Sequence, residues 1–342
     1  MPSTARATFD PRLRAVVVSR RPLLYTGGAD AATDRPAHVR AGSALARAGA
    51  RFVVVQDDAS FFAVLTPDGA VDPLVLPYAP GGERQFSKGR DNKQLKLDLE
   101  ACVTLPDGRL LAFGSGSTEV RERVVLARLA DSPDASSELK LVHAPAFYAA
   151  LRNEPRFSGS ELNVEGAALV LPLGVLRLFQ RGNGAVSGDR LPLDATCDVA
   201  LDALIRHLEA PGAVPPPVLG AIVQWELGAI DGTRLTFTDA CAERGRLFFL
   251  AAAEASPNAY DDGPVAGVVL GVTADERPHG TARLALLTDE SGAPFRAKAE
   301  GLVLDPDEPS RAVIVLDLDD PERPSELCTL RLEGPWREGP PT

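Results

Sequence analysis

The sequence predicts an all-β chain: a β-propeller of five four-stranded blades closed by the N-terminal strand, with six blades as the alternative. Two observations lead there. A short acidic signature recurs as Leu99-Glu100-Ala101-Cys102, Val164-Glu165-Gly166-Ala167, Thr238-Asp239-Ala240-Cys241 and Ala299-Glu300-Gly301-Leu302. A degenerate copy, Ala41-Gly42-Ser43-Ala44, lacks the acid. An apolar strand follows each copy: Arg51 to Val55, Arg109 to Phe113, Val175 to Phe179, Arg246 to Leu250 and Arg311 to Leu316. Self-similarity at a near-constant period marks a repeat architecture, and about 60 residues suits one four-stranded sheet per copy. The second observation is the scarcity of helical periodicity. Short apolar runs, many β-branched, alternate with Gly, Pro, Asp and Asn clusters.

The elements follow in order. The first repeat gives strands at 43–47, 51–56, 60–66 and 71–77, and the second at 100–105, 109–114, 122–129 and 138–143. The third gives 165–171, 175–180, a strand near 190–194, and 218–227. The fourth gives 239–242, 246–252, 264–272 and 281–288; the fifth gives 300–304, 311–317 and 326–332. The missing strand is supplied by 14–25, which removes an exposed edge. Pro-Asp-Gly at 67–69 and 106–108 are turns, because Pro presets φ and Gly accepts positive φ. Leu201, Leu204, Ile205 and Leu208 make one stripe, predicting a helix over 197–209 that leaves His207 exposed. A second short helix is expected at 146–153. One domain is expected over 1–334, with a disordered tail at 335–342.

The chain has 342 residues, 45% of them hydrophobic, enough for one extended all-β domain. Lys and Arg number 36 against 47 Asp and Glu, a net charge of −11. That balance argues against nucleic acid as a partner and favours cations wherever acids gather. Cys102, Cys197, Cys241 and Cys328 form no C-x-x-C pair and read as buried fillers. Met1 to Arg14 lacks an apolar leader core, and no apolar run is long enough to cross a membrane. A soluble, cytoplasmic, monomeric protein is expected.

In a propeller the start of each first strand and the loop after each second strand share one rim. That rim gathers Glu100, Glu165, Asp239 and Glu300 with Asp57, Asp58, Ser115, Ser117, Arg181, Asn183, Glu254, Asp317, Asp319 and Asp320. Lys96, Asp98, Asn163 and Lys298 flank them. A ring of oxygen donors around a narrow axis suits a hard cation such as calcium. The same acids also suit a structural role, accepting backbone N–H bonds between blades or pairing with Lys96 and Lys298. The stretch 83–98, with Arg84, Lys88, Arg90, Lys93 and Lys96, enters that rim. It reads either as an attractor for an anionic group or as a solvated loop. Gly114-Ser115-Gly116-Ser117 lacks the helix and lysine of a phosphate loop.

The phrases Asn163-Val164-Glu165-Gly166-Ala167, Lys96-Leu97-Asp98-Leu99-Glu100-Ala101 and Lys298-Ala299-Glu300-Gly301-Leu302 resemble bacterial propellers of the phytase-like esterase and SdiA-regulated families. The stretch 236–254, Asp262-Gly263-Pro264-Val265-Ala266-Gly267 and Asp317-Leu318-Asp319-Asp320-Pro321 add to the likeness, which spans about 40 to 332. The phytase-like resemblance implies calcium-assisted hydrolysis of phosphate esters. The expected function is therefore metal-assisted hydrolysis of a small phosphate or carboxylic ester, without an organic cofactor. In that reading Glu100, Glu165 and Glu300 hold the calcium. Asp239 or Glu254 is the base that activates water, and Lys96, Lys298, Arg181 and Asn163 hold a small anionic substrate. The alternative is a non-catalytic binding or scaffold propeller.

Overall fold

Why the chain forms paired strands is visible in its alternation. Runs such as Arg51–Gln56 bury every second residue against one neighbouring sheet and the intervening residues against another. A computed structural model describes residues 3–79, 81–130, 136–255, 263–274, 277 and 280–338. Asp262 and 339–342, named above, lie outside the described residues.

Two N-terminal strands, β1 (Ser3–Phe9) and β2 (Arg14–Pro22), precede the repeats. The first sheet is β3 (Gly42–Ala48), β4 (Arg51–Gln56), β5 (Phe61–Leu65) and β6 (Val71–Val75). The second is β7 (Leu99–Thr104), β8 (Leu110–Gly114), β9 (Arg123–Arg128) and β10 (Glu138–His143). Helices α1 (Pro145–Arg152) and α2 (Pro155–Ser158) lead to the third: β11 (Val164–Val170), β12 (Val175–Gln180), β13 (Asp194–Ala200) and β14 (Leu219–Glu226). Helix α3 (Leu201–Glu209) interrupts it. A short β15 (Ala229–Ile230) folds back on β16 (Thr233–Glu243), which opens the fourth sheet with β17 (Arg246–Glu254), β18 (Val265–Thr273) and β19 (Thr281–Asp289). The fifth is β20 (Lys298–Leu304), β21 (Arg311–Asp317) and β22 (Glu326–Glu333), completed by β2 antiparallel to β22. The fold is all-β and propeller-like.

The first strands of the sheets lie side by side: β3 on β7, β7 on β11, β11 on β16, β16 on β20, and β20 on β3. Apolar layers fill the space between neighbouring sheets. Phe179, Phe237 and Phe249 stack edge to face at 5.1 Å between the third and fourth. Leu45, Val54, Val313 and Val315 join the fifth to the first. Gly166 and Gly301 follow from this closeness. A Cβ at Gly166 would meet the backbone of Asp239 and Ala240 at 3.2 and 3.1 Å, and one at Gly301 the backbone of Ala44 and Leu45 at 2.8 and 2.7 Å. The glycine of the Glu-Gly phrase is thus set by the neighbouring strand.

Most expected strands are present within a few residues. The third repeat differs. Its third strand is Asp194–Ala200, and the helix begins only at Leu201. Ala195, Cys197 and Val199 alternate into the apolar layer, so period two prevails over the helical stripe until Leu201. His207 is buried, not exposed, with Nδ1 2.7 Å from the Val214 carbonyl oxygen. The N-terminal strand ends at Pro22 rather than 25. Strand β1 was not foreseen; it runs parallel to both β14 and β19, joining the outer edges of the third and fourth sheets. Residues 335–338 of the expected tail are packed. Trp336 is buried against Phe248 and donates its indole N–H to the Arg14 and Glu333 carbonyls.

Two predictions follow from the contacts between sheets. Gly301→Ala should destabilise by about 2 kcal/mol, because a Cβ there meets the β3 backbone as well as Val315 Cγ1 at 2.6 Å; an unchanged urea midpoint would contradict this. Asp194 joins the third and fourth sheets, accepting the backbone N–H of Gly182 at 3.2 Å and of Phe237 at 3.0 Å. Burial raises its carboxyl to about 6 although Arg234 opposes the shift. A carboxyl raised on folding contributes stability below its unfolded value that is lost as pH rises through its folded one. Wild type should therefore lose about 2 kcal/mol relative to Asp194→Asn between pH 4 and pH 7.5, read from urea unfolding at both pH values.

Candidate functional site

Each first strand carries one residue more than its partner opposes. Pairing skips a residue between Gly42 and Ala44, Leu99 and Ala101, Val164 and Gly166, Phe237 and Asp239, and Ala299 and Gly301. The residues in these bulges are Ser43, Glu100, Glu165, Thr238 and Glu300. A bulge turns its side chain away from the regular alternation. Ser43 and Thr238 direct their hydroxyls to the next sheet, donating to the Leu99 carbonyl at 2.5 Å and the Ala299 carbonyl at 2.7 Å. The three glutamates line a cavity of about 250 Å³.

Asp239 is not equivalent to those glutamates. It lies one residue beyond the bulge, and a shift of one residue along a strand reverses the face. Its carboxylate accepts the backbone N–H of Leu302 and of Ala240, both at 2.7 Å, tying the fourth sheet to the fifth. Burial pushes its pKa well up, against those two bonds. Asp239 does not line the cavity, so it is not placed to be a base there. The same one-residue slip separates Cys241 from Cys102.

The other expected rim residues do converge. Asp57, Asp58, Lys96, Asp98, Asn163, Asn183, Arg181, Glu254, Lys298, Asp317, Asp319 and Asp320 all line the cavity with the three glutamates. Lys88 and Lys93 reach it from the 83–98 stretch, whose turns are fixed by buried Asn92: the Ser87 N–H donates to its side-chain oxygen at 3.0 Å.

Lys96, Arg121, Arg181 and Lys298 of this pocket already have carboxylate partners. Lys96 contacts Asp57, Asp98 at 2.8 Å and Asp58 at 3.3 Å. Arg121 donates to Asp98 at 2.7 Å and to Ser117 at 2.8 Å, and Ser115 also donates to Asp98. The Gly114–Ser117 segment is therefore occupied internally. Arg181 pairs with Glu254, with Glu165 at 3.4 Å and with Glu300 at 3.8 Å. Lys298 pairs with Glu300 at 3.0 Å and with Asp319 at 3.4 Å. Asn163 donates to Glu165 at 2.7 Å and to Asn183 at 3.1 Å. The expectation that Lys96, Lys298, Arg181 and Asn163 face a substrate is thus met by side chains turned to neighbouring acids and amides. Glu254 is held likewise: besides Arg181, it accepts the Gly263 N–H at 2.9 Å.

Glu100 differs from its relatives. It is only 8% exposed, and among the described residues no hydrogen bond or ion pair reaches it. Burial, followed by repulsion from Asp57 and Glu165, drives its pKa well up. One carboxylate oxygen of each of Asp57, Asp98 and Glu100 lies within 4.8 Å of the others. The Asp57 Oδ1 is shielded from solvent and lacks a hydrogen-bond partner. Burial raises Asp57 although Lys96 opposes it, whereas Lys96 and Arg121 overcome the burial of Asp98 and hold it well below the usual carboxylate range. The three carboxylates close enough together to share one cation are thus Asp57, Asp98 and Glu100, whereas the expected set was Glu100, Glu165 and Glu300, all of which line the cavity. The sequence carries a signal for part of this. Lys96, Asp98 and Glu100 lie within five residues where the chain enters β7, and that entry brings all three to the cavity.

Residues 38–332 match a family described as a family of unknown function, DUF6929. No curated protein matches the chain. Among solved structures, glutaminyl cyclase from Myxococcus xanthus is similar at a TM-score of 0.47 and 11% identity, over 98% of this chain and 99% of that one. The PQQ domain of pyranose dehydrogenase from Coprinopsis cinerea is similar at 0.42 and 12%, over 97% and 100%. A protein of unknown function from Dyadobacter fermentans is similar at 0.43 and 10%, over 95% and 100%. These likenesses say nothing of the pocket's chemistry.

The geometry separates Asp239 from the pocket in a testable way. Asp239→Ala removes the acceptor of the buried Leu302 N–H and should cost about 2 kcal/mol in urea unfolding. Cation binding by the folded variant should match wild type in a calcium titration; a loss of binding without loss of stability would restore Asp239 to the site.

Proposed function

The chain belongs to DUF6929, a family of unknown function, and on that premise we propose that its acid-rimmed pocket binds a divalent cation, calcium first, and hydrolyses a small phosphate or carboxylic ester. The observation that carries the reading is Glu100, a carboxylate buried without a partner beside Asp57 and Asp98. Such a group is costly in the apo protein unless it is protonated or meets a cation. Calcium takes oxygen donors in flexible geometry, and this cluster offers only oxygens. When bound, it would polarise the oxygen of an ester. Glu100, Asp57 and Asp98 hold it. Glu254, as expected, or Glu165 and Glu300 from neighbouring bulges supply the proton acceptor, and Asp239, which does not line the cavity, does not.

We further propose that the propeller has five blades closed by β2, in the manner of phytase-like and SdiA-regulated proteins. The return of β20 to β3 and the apolar layer between the fifth and first sheets support this. Four free thiols favour a cytoplasmic setting, and the net charge of −11 disfavours nucleic acid. A non-catalytic binding or scaffold role is the second reading. One observation favours it: Arg181, expected to hold an anionic substrate, bridges acids of three sheets.

Thermal melting with calcium and with EDTA, followed by a panel of small esters, tests the proposal. Calcium at a hundred times Kd should stabilise wild type by about 2.7 kcal/mol. Glu100→Gln should lose that gain and all calcium-dependent turnover. Without calcium it should melt at or above wild type, since it removes a buried charge. A melt indifferent to calcium, with no ester turned over, would sink the proposal; calcium binding without turnover would select the second reading.

A further inference from the structure

We infer that the Lys96 ammonium holds the place of a second divalent cation, so that the pocket takes one ion where its carboxylates have room for two. The inference rests on the reading of Glu100, Asp57 and Asp98 as a cation site. It comes from what surrounds the ammonium. Lys96 is 4% exposed, and its Nζ lies among three carboxylates, those of Asp57, Asp58 and Asp98, the latter two at 3.3 and 2.8 Å. Those carboxylates come from two sheets: Asp57 and Asp58 follow β4, while Asp98 precedes β7. A position enclosed by three carboxylates is the environment of a hard cation. An ammonium supplies a single charge there, strongly hydrated in water and replaceable by a hard ion of similar preference for oxygen.

The contacts agree with this placement. Arg121 reaches Asp98 at 2.7 Å and Arg40 lies 3.8 Å from Asp58, whereas the Lys96 ammonium sits among Asp57, Asp58 and Asp98 together. Without that ammonium the position is left to carboxylates alone, and a second ion takes it. Lys96 thereby fixes how many cations enter, and it keeps the first ion against Glu100 rather than between Asp57 and Asp58.

Calorimetric titration of the full chain with calcium chloride tests this on wild type, Lys96→Met and Lys96→Arg. Wild type should bind one ion and Lys96→Met two. Without calcium Lys96→Met should melt several degrees below wild type, and saturating calcium should restore it. Lys96→Arg keeps the charge on a planar fork and should bind as many ions as wild type. If wild type binds none and Lys96→Met binds one, the placeholder role stands and the Glu100 site falls. If Lys96→Met binds no more ions than wild type, stays unfolded at saturating calcium, or is matched by Lys96→Arg in gaining an ion, the inference is overturned.

Discussion

One extra residue in each first strand decides what the molecule's axis contains. Regular pairing would give every second residue of β3, β7, β11, β16 and β20 to one apolar layer and the rest to another, leaving no side chain for the centre. The bulges at Ser43, Glu100, Glu165, Thr238 and Glu300 break that alternation at one level of the fold. Two of the five are hydroxyls and are consumed in holding the next sheet's carbonyl. The other three are carboxylates too long for that bond, so they extend into the cavity. Glycine after the bulge at 166 and 301 lets the neighbouring strand come close enough to enclose them.

Bringing carboxylates together under cover sets a second constraint, because charge removed from water has to be answered locally. Arg181 answers Glu165, Glu254 and Glu300; Lys298 answers Glu300 and Asp319; Lys96 and Arg121 answer the aspartates. Removing either partner of such a pair exposes the other, which is why these residues act as a set. Glu100 stands outside it. A protein that keeps a buried acid unanswered accepts a loss of stability at that point, a familiar cost of a binding site.

Much of the fold was legible in the sequence because repetition is a long-range signal that needs no knowledge of contacts. The spacing of the acidic phrases located the first strands, and β2 was found as the strand the last repeat lacked. What escaped has definite causes. β1 is too polar to stand out, being Ser, Thr and Arg on alternate positions with small alanines between; it is held by two neighbouring edges and not by its own apolar face. Thr238 was passed over for Asp239 because an acid was expected where a hydroxyl serves, and the bulge that separates them leaves no mark on residue type. The rim residues were gathered correctly by position. Their partners were not, since which lysine meets which carboxylate depends on side-chain directions that spacing does not contain.

The outer edges hold a further consequence. β1 and β2 fasten the third, fourth and fifth sheets into one continuous fourteen-stranded band, whereas the first and second sheets end in β6 and β10, strands that among the described residues pair with no other sheet. The third, fourth and fifth sheets are therefore braced at their outer edges, and a seam without such a strand lies between the first and second. That seam is where Asp57 and Asp58 on one side meet Lys96, Asp98 and Glu100 on the other. Amide exchange should be fastest to set in along those two edges, and whatever charge settles among the facing acids acts as the clasp that the N-terminal strands provide elsewhere.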